Sequence, residues 1–223
     1  MSHSDRIARR IFLVGAASAI CSACDHSYVG DMQSFVRANM EKGKDLSLTL
    51  ADIEKIPYAS IAVRLGEGSQ ALLILSDNIG EDRHWMSADR EVLVTRHGRL
   101  VQTQGLPQDM TATVFFSPDP VGGPSPGFAA HQECVRALDF EPYNVAGVVV
   151  HSHFEKGGRE EIDILGNRIA TEIWWERGGS KEFDWKFVNQ YWIDPETGFV
   201  WKSLQASAPA LPQLEIIVYR RPA

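Results

Sequence analysis

Short apolar runs separated by turn signals recur along most of this chain. Tyr58 to Leu65 is followed by Gly66-Glu67-Gly68 and then by Gln70 to Ser76. Two β-rich runs about a glycine-containing turn predict a hairpin. Arg83 to Ser87, Glu91 to Arg96 and Arg99 to Gln104 extend the series, with His97-Gly98 as a tight turn in which glycine takes positive φ. The pattern resumes over 145–155, 160–176, 183–193, 199–207 and 214–220. Gly157-Gly158, Gly178-Gly179-Ser180 and Asp194 to Gly198 read as turns between these runs, and Gly166-Asn167 as a break within the second. No helix-length spacer separates the strands, which points to an antiparallel meander rather than βαβ units. The expected fold is mainly β: a meander sheet curled toward a barrel. A short N-terminal helix is expected over Met32 to Lys42, where Phe35, Val36, Asn39 and Met40 lie near one side. Residues 117–127, rich in Pro and Gly, cannot form a central strand.

Residues 1–24 follow a different pattern. Arg6, Arg9 and Arg10 precede an apolar run from Ile11 to Ile20, and Cys21-Ser22-Ala23-Cys24 follows. A basic head, a short apolar run and small residues before a cysteine form an export signal of the lipoprotein type. The run is about ten residues long, well below the roughly 20 that span a bilayer. Cys24 has Ala23 and Ser22 before it, both small as the signal peptidase requires, whereas Cys21 follows the bulky Ile20. Cys24 is therefore the expected lipidation site, with Cys21 at −3 where Leu is usual. An ordinary secretory cut nearby is the alternative. Arg9-Arg10-Ile11-Phe12-Leu13 also resembles a twin-arginine signal, so both export routes stay open. The expected division is a signal peptide over 1–23, a tether over 24–31 and one β-rich domain over 32–223. The protein then faces the periplasm from the inner or the outer membrane; Asp25 after Cys24 favours the inner one under enterobacterial sorting.

Charge narrows the partners. The chain carries −7. Residues 1–23 hold three arginines against Asp5, so the remaining 200 residues carry −9. An acidic balance without a basic stripe argues against nucleic acid. At 44% apolar residues, a sizeable core is available. Beyond the signal only Cys24 and Cys134 remain. An acylated Cys24 leaves Cys134 without a disulfide partner, as a small buried hydrophobe.

Three groups of residues carry candidate chemistry. Trp85, Ser87 and Asp89 share a strand face and form a ligand-binding patch for a glycan or partner; otherwise Trp85 packs, Ser87 bonds locally and Asp89 opens a turn. His151, His153 and Glu155 alternate onto one face opposite Ser152 and Phe154, and two imidazoles with a carboxylate suit zinc or iron. These are weak metal candidates, because no His lies downstream and a third nitrogen must come from His84, His97 or His131. An exposed polar strand face is the simpler reading. Trp174, Trp175, Trp185, Trp192 and Trp201 crowd the final third, as cross-strand core or as a platform for sugar rings. Trp185, Phe187 and Tyr191 share one parity. No Gly-x-Ser-x-Gly elbow occurs and no histidine signature surrounds Cys134, so no catalytic residue and no cofactor are expected.

Several segments, in order, carry a resemblance: Trp85-Met-Ser-Ala-Asp89, Val92 to Val101, Gly105-Leu106, Tyr191 to Ser203, and Pro212 to Tyr219. With them the chain resembles the YjbF/GfcB family of lipoproteins, associated with group 4 capsule and exopolysaccharide production, from about residue 32 to the end. The resemblance implies an all-β lipoprotein in the periplasmic compartment, encoded with polysaccharide secretion or assembly machinery, and carries over no established catalytic activity. The expected function is an envelope-anchored lipoprotein that assists capsule or exopolysaccharide secretion. Its partners would be polysaccharide or secretion proteins, with the membrane held through lipid. Two other readings stand beside it: a metal-dependent or glycan-modifying enzyme using His151, His153 and Glu155, and a β-barrel that binds a ligand in its interior.

Overall fold

Inward and outward side chains alternate along each strand, and that alternation decides how the chain closes. The structure, a computed structural model, describes residues 48–121 and 133–222. A short helix, α1 (Leu50–Glu54), opens on a capping box in which Thr49 and Asp52 satisfy each other's backbone N–H groups. Twelve strands follow: β1 (Ser60–Leu65), β2 (Ala71–Ile79), β3 (Asp82–Ser87), β4 (Val92–Arg96), β5 (Arg99–Gln104), β6 (Asp109–Phe115), β7 (Glu133–Glu141), β8 (Val145–Ile164), β9 (Asn167–Ser180), β10 (Trp185–Ile193), β11 (Val200–Gln205) and β12 (Leu214–Arg220). All ladder neighbours are antiparallel, and β1 closes onto β12. The sheet is the expected meander, curled into a nearly closed barrel. Only the step from β5 to β6 lacks a backbone ladder. Side chains bridge it instead: Thr113 Oγ1 donates to the Val101 carbonyl at 2.8 Å, and Met110 N–H donates to Thr103 Oγ1 at 2.9 Å.

A round barrel of twelve strands would be hollow, since about eight already enclose no more than side chains can fill. Here opposite walls touch instead. The β4–β5 turn takes positive φ at His97 (50°) and Gly98 (98°), and it presses on β11. A Cβ on Gly98 would sit 2.5 Å from Val200 Cβ. Gln205 reaches across from β11, accepting from Leu100 N–H at 2.9 Å and donating to the Gly98 carbonyl at 2.8 Å. Gly98→Ala therefore combines φ strain with an overpacked contact and is expected to cost about 2–4 kcal/mol. It reads as a lower urea midpoint at unchanged slope.

The structure corrects several boundaries. Gly157-Gly158 is not a turn: β8 runs through it, and the register of β8 against β9 shifts between Lys156 and Arg159. Beyond that bulge Ile162 and Ile164 pack with Trp192, and Trp192 Nε1 donates to Glu160 Oε2 at 2.8 Å. Gly178 and Gly179 are not a turn either; they lie within β9. A Cβ on Gly178 would come within 2.7 Å of Phe187 Cζ and Ser152 Cβ, so glycine there serves close strand packing. Gly166-Asn167 does split its run, as the turn between β8 and β9. Two strands, β6 and β7, went unread. The expected helix over 32–42 and Cys24 lie outside the described residues, while α1 was not anticipated.

Candidate functional site

Four adjacent strands build one polar layer inside the barrel. Along β7 the inward series runs Cys134, Arg136, Leu138 and Phe140; along β8 it runs Val148, Val150, Ser152 and Phe154. On β9 Glu176 follows Trp174, and on β10 Asn189 stands between Phe187 and Tyr191. Each strand thus contributes one polar residue between apolar ones. Arg99 enters the same layer from β5 and Gln205 from β11.

Glu176 is the hub, with no exposed surface. It accepts from Arg136 Nη1 at 2.6 Å, Ser152 Oγ at 2.7 Å, Arg99 Nη1 and Asn189 Nδ2 at 2.9 Å, and Tyr191 OH at 3.0 Å. Arg99 also grips Asp119 bidentately, at 2.5 and 2.8 Å, which ties the start of the β6–β7 loop to the barrel. Phe154 and Tyr191 lie 5.7 Å from the Arg99 guanidinium, and Phe187 lies 5.6 Å from that of Arg136. Burial alone would push the Glu176 carboxyl up. Arg136 and Arg99, with hydrogen bonds from Ser152 and Asn189, hold it well below the usual carboxylate range. Two arginines and two carboxylates balance, and all four are joined by hydrogen bonds. Chemically this layer is a plug. Burial pushes the Cys134 thiol up, which makes it a poor nucleophile at neutral pH.

A cavity of about 400 Å³ opens at the barrel end that carries the β2–β3, β4–β5 and β10–β11 turns. Its wall includes Arg83, Trp85 and Thr95 on one side, and Phe199, Trp201 and Arg221 on the other. Trp85 Nε1 donates to Thr95 Oγ1 at 2.8 Å, which fixes the indole. The Arg221 guanidinium lies 4.1 Å from the ring centres of both Phe199 and Trp201, and it bonds Asp194 at 3.2 Å. Lys202 is engaged by Glu215 at 2.8 Å, and His97 meets Glu81 at 3.3 Å. Arg83 shares the strand face of Trp85, and its guanidinium has no partner among the described residues. The Trp201 Nε1 donor is buried without an acceptor.

Of the expected patch, Trp85 alone reaches this cavity. Ser87 is buried on the same face, where its Oγ accepts from Glu91 N–H at 3.0 Å. Asp89 is exposed in the turn after β3. His151, His153 and Glu155 do share one exposed face, as the alternation predicts, with Ser152 and Phe154 turned inward. Glu155 there meets His153 at 3.4 Å and Arg177 at 3.3 Å. Among the described residues no group of three or more His, Cys, Asp and Glu side chains is arranged to hold a metal. Trp174, Trp185 and Trp192 are buried, so most of the aromatic crowd is core. The inward arginines and Glu176 went unread, because a charge in a strand pattern reads as a solvent-facing position. The signal that existed was parity: Arg136 alternates with Cys134, Leu138 and Phe140.

Fold and site together define a meander β-barrel whose interior is sealed by an ionic layer and whose turn end carries a cavity. Known proteins of this kind match it along most of its length. The chain belongs to the YjbF family, described as group 4 capsule polysaccharide lipoprotein, whose model matches residues 33–218. The uncharacterized lipoprotein GfcB of Escherichia coli K12 is 24% identical over 214 residues, 96% of this chain and 99% of that one. The uncharacterized lipoprotein YjbF of the same organism is 26% identical over 152 residues, 68% of this chain and 70% of its own. The crystal structure of the hypothetical lipoprotein YmcC from Escherichia coli K12 has the same fold, with a TM-score of 0.72 at 23% identity, covering 87% of this chain and 96% of that one.

Proposed function

We propose that this protein is an envelope-anchored lipoprotein that assists secretion or assembly of a capsule or exopolysaccharide without catalysing a reaction. Lipid on Cys24 holds it at the membrane, facing the periplasm, and the barrel contacts glycan or a secretion protein. One observation carries this reading: the family match spans a barrel whose interior polar groups are committed to one another around Glu176. Such a layer favours a rigid body that presents its surface over a channel or a reaction chamber. Deleting the gene is expected to lower surface polysaccharide, read as extracellular uronic acid and total sugar, and a plasmid copy is expected to restore it. Unchanged export in the deletion strain would overturn the proposal.

A further inference from the structure

The cavity at the turn end has a charge balance opposite to that of the chain. The chain as a whole carries −7. Yet the ionisable residues lining this cavity are Arg83, His97, Lys202 and Arg221 against Glu81 alone. Three of the four basic groups are already engaged by Glu81, Glu215 or Asp194. Arg83 has no such partner among the described residues, and it lies two residues from Trp85 on the same strand face. A guanidinium in a partly enclosed, aromatic-walled space gains most from a planar oxyanion, which it grips with two parallel N–H donors. A volume of about 400 Å³ falls at the lower end of the roughly 300–1,000 Å³ usual for ligand sites. It admits a small ring system rather than a long chain segment. The Arg221 guanidinium lies over Phe199 and Trp201, so the C–H face of a pyranose meets the remaining edges of these rings and of the buried Trp85.

We infer that this cavity binds a hexuronate unit of an acidic polysaccharide, with Arg83 holding its carboxylate. The inference rests on the polysaccharide reading above and names the chemical class of ligand. Arg83 is the specificity-determining residue, and the aromatic wall supplies affinity that does not depend on charge.

The test titrates the purified protein with a glucuronate-containing disaccharide and with its carboxyl-reduced neutral counterpart. Binding is followed by calorimetry and by the indole N–H resonance of Trp85. The acidic sugar is expected to bind at least tenfold more tightly, as a charge-assisted hydrogen-bond pair supports. Arg83→Gln is expected to remove that preference and leave binding of the neutral sugar unchanged, while Arg83→Lys restores part of it. Arg159→Gln, on an exposed side chain, is expected to change nothing. If Arg83→Gln does not fold, Arg83→Lys and the Trp85 resonance decide the case alone. Equal binding of both sugars, binding of neither at millimolar concentration, or a preference that survives Arg83→Gln would each overturn the inference. So would a shift of the Trp85 resonance produced only by carboxylate-terminated peptides. Failure here is separable from failure of the broader proposal. A deletion strain defective in export but fully rescued by Arg83→Gln sinks the hexuronate site and leaves the secretion role standing.

Discussion

Glu176→Ala is expected to remove about 3–5 kcal/mol of stability, because it leaves two buried guanidinium groups facing each other without their shared counter-ion. Domains of this size are stable by only about 5–15 kcal/mol, so the loss is a large share of the whole. Arg99 retains Asp119, but Arg136 keeps no carboxylate, just the Ser152 hydroxyl, the Cys134 sulfur and the face of Phe187. Replacing Arg99, Arg136 and Glu176 together by apolar residues of similar volume is expected to cost less than Glu176→Ala alone. The triple change removes the desolvation penalty along with the attraction, and Asp119 is partly exposed and can take up water. The pH dependence carries the same signature. The folded Glu176 carboxyl sits well below its ordinary value of 4.5. The stability its charge contributes is therefore fully present above about pH 5 and is lost as pH falls below that ordinary value. Glu176→Gln has no carboxyl to protonate at this position. The advantage of the wild type over it is expected to be constant above about pH 5 and to shrink below, by up to about 1.4 kcal/mol per pH unit. Urea unfolding between pH 3 and 8 (both values chosen to bracket that window, about two units on the acid side) reads this directly. A difference that stays flat to the acid limit would show that Glu176 is not charged in the folded state.

How far the sequence could be read follows from the same residues. Strands flanked by clear turn signals were legible: β1, β5 and β10 fall within a residue or two of their expected bounds, even though Arg99 and Asn189 point inward from the last two. The parity that places Trp185, Phe187 and Tyr191 together was legible as well, and so was the outward face of His151, His153 and Glu155. β7 was not, because Arg136 interrupts its apolar alternation, and only a carboxylate 40 residues away makes an arginine tolerable there. That pairing is a tertiary fact with no local trace. Glycine pairs misled for a related reason. At Gly178 the missing side chain answers to Phe187 and Ser152 on the neighbouring strands, not to a turn. The candidate site was half legible. The pattern marks Trp85, but parity along β3 favours Ser87 and Asp89 ahead of it no more than Arg83 behind it. The direction depends on which end of the barrel is open, which only the packing of the turns decides.

Cys24→Ser is expected to abolish the lipid anchor. On the proposed anchoring, the thiol of Cys24 takes the diacylglyceryl group as a thioether, and a serine hydroxyl is far too weakly acidic to replace it. Lipid attachment precedes removal of the signal in this kind of export. The variant is therefore expected to keep residues 1–23 or to be cut elsewhere, and mass spectrometry of the N-terminal peptide distinguishes these from an acylated Cys24. Anchoring depends on chain number: one acyl chain gives only marginal, reversible binding, with a partition constant of about 10⁴ M⁻¹, and further chains make it stable. Three chains on a lipidated wild type and none on the variant place the two at opposite extremes, so fractionation is expected to move essentially all of the variant that has lost residues 1–23. Cys21→Ser is the control. With Ile20 before it, Cys21 is a poor substrate for the peptidase, and its loss is expected to leave the acylated N-terminus intact. An acylated peptide that begins at Cys21 would transfer the anchor to Cys21. The role proposed for the barrel requires the anchor as much as the cavity, since an acidic domain has no charge attraction to an anionic bilayer surface. With the barrel untethered, secretion is expected to fail as in the deletion strain, even though a Cys24→Ser protein still binds its glycan.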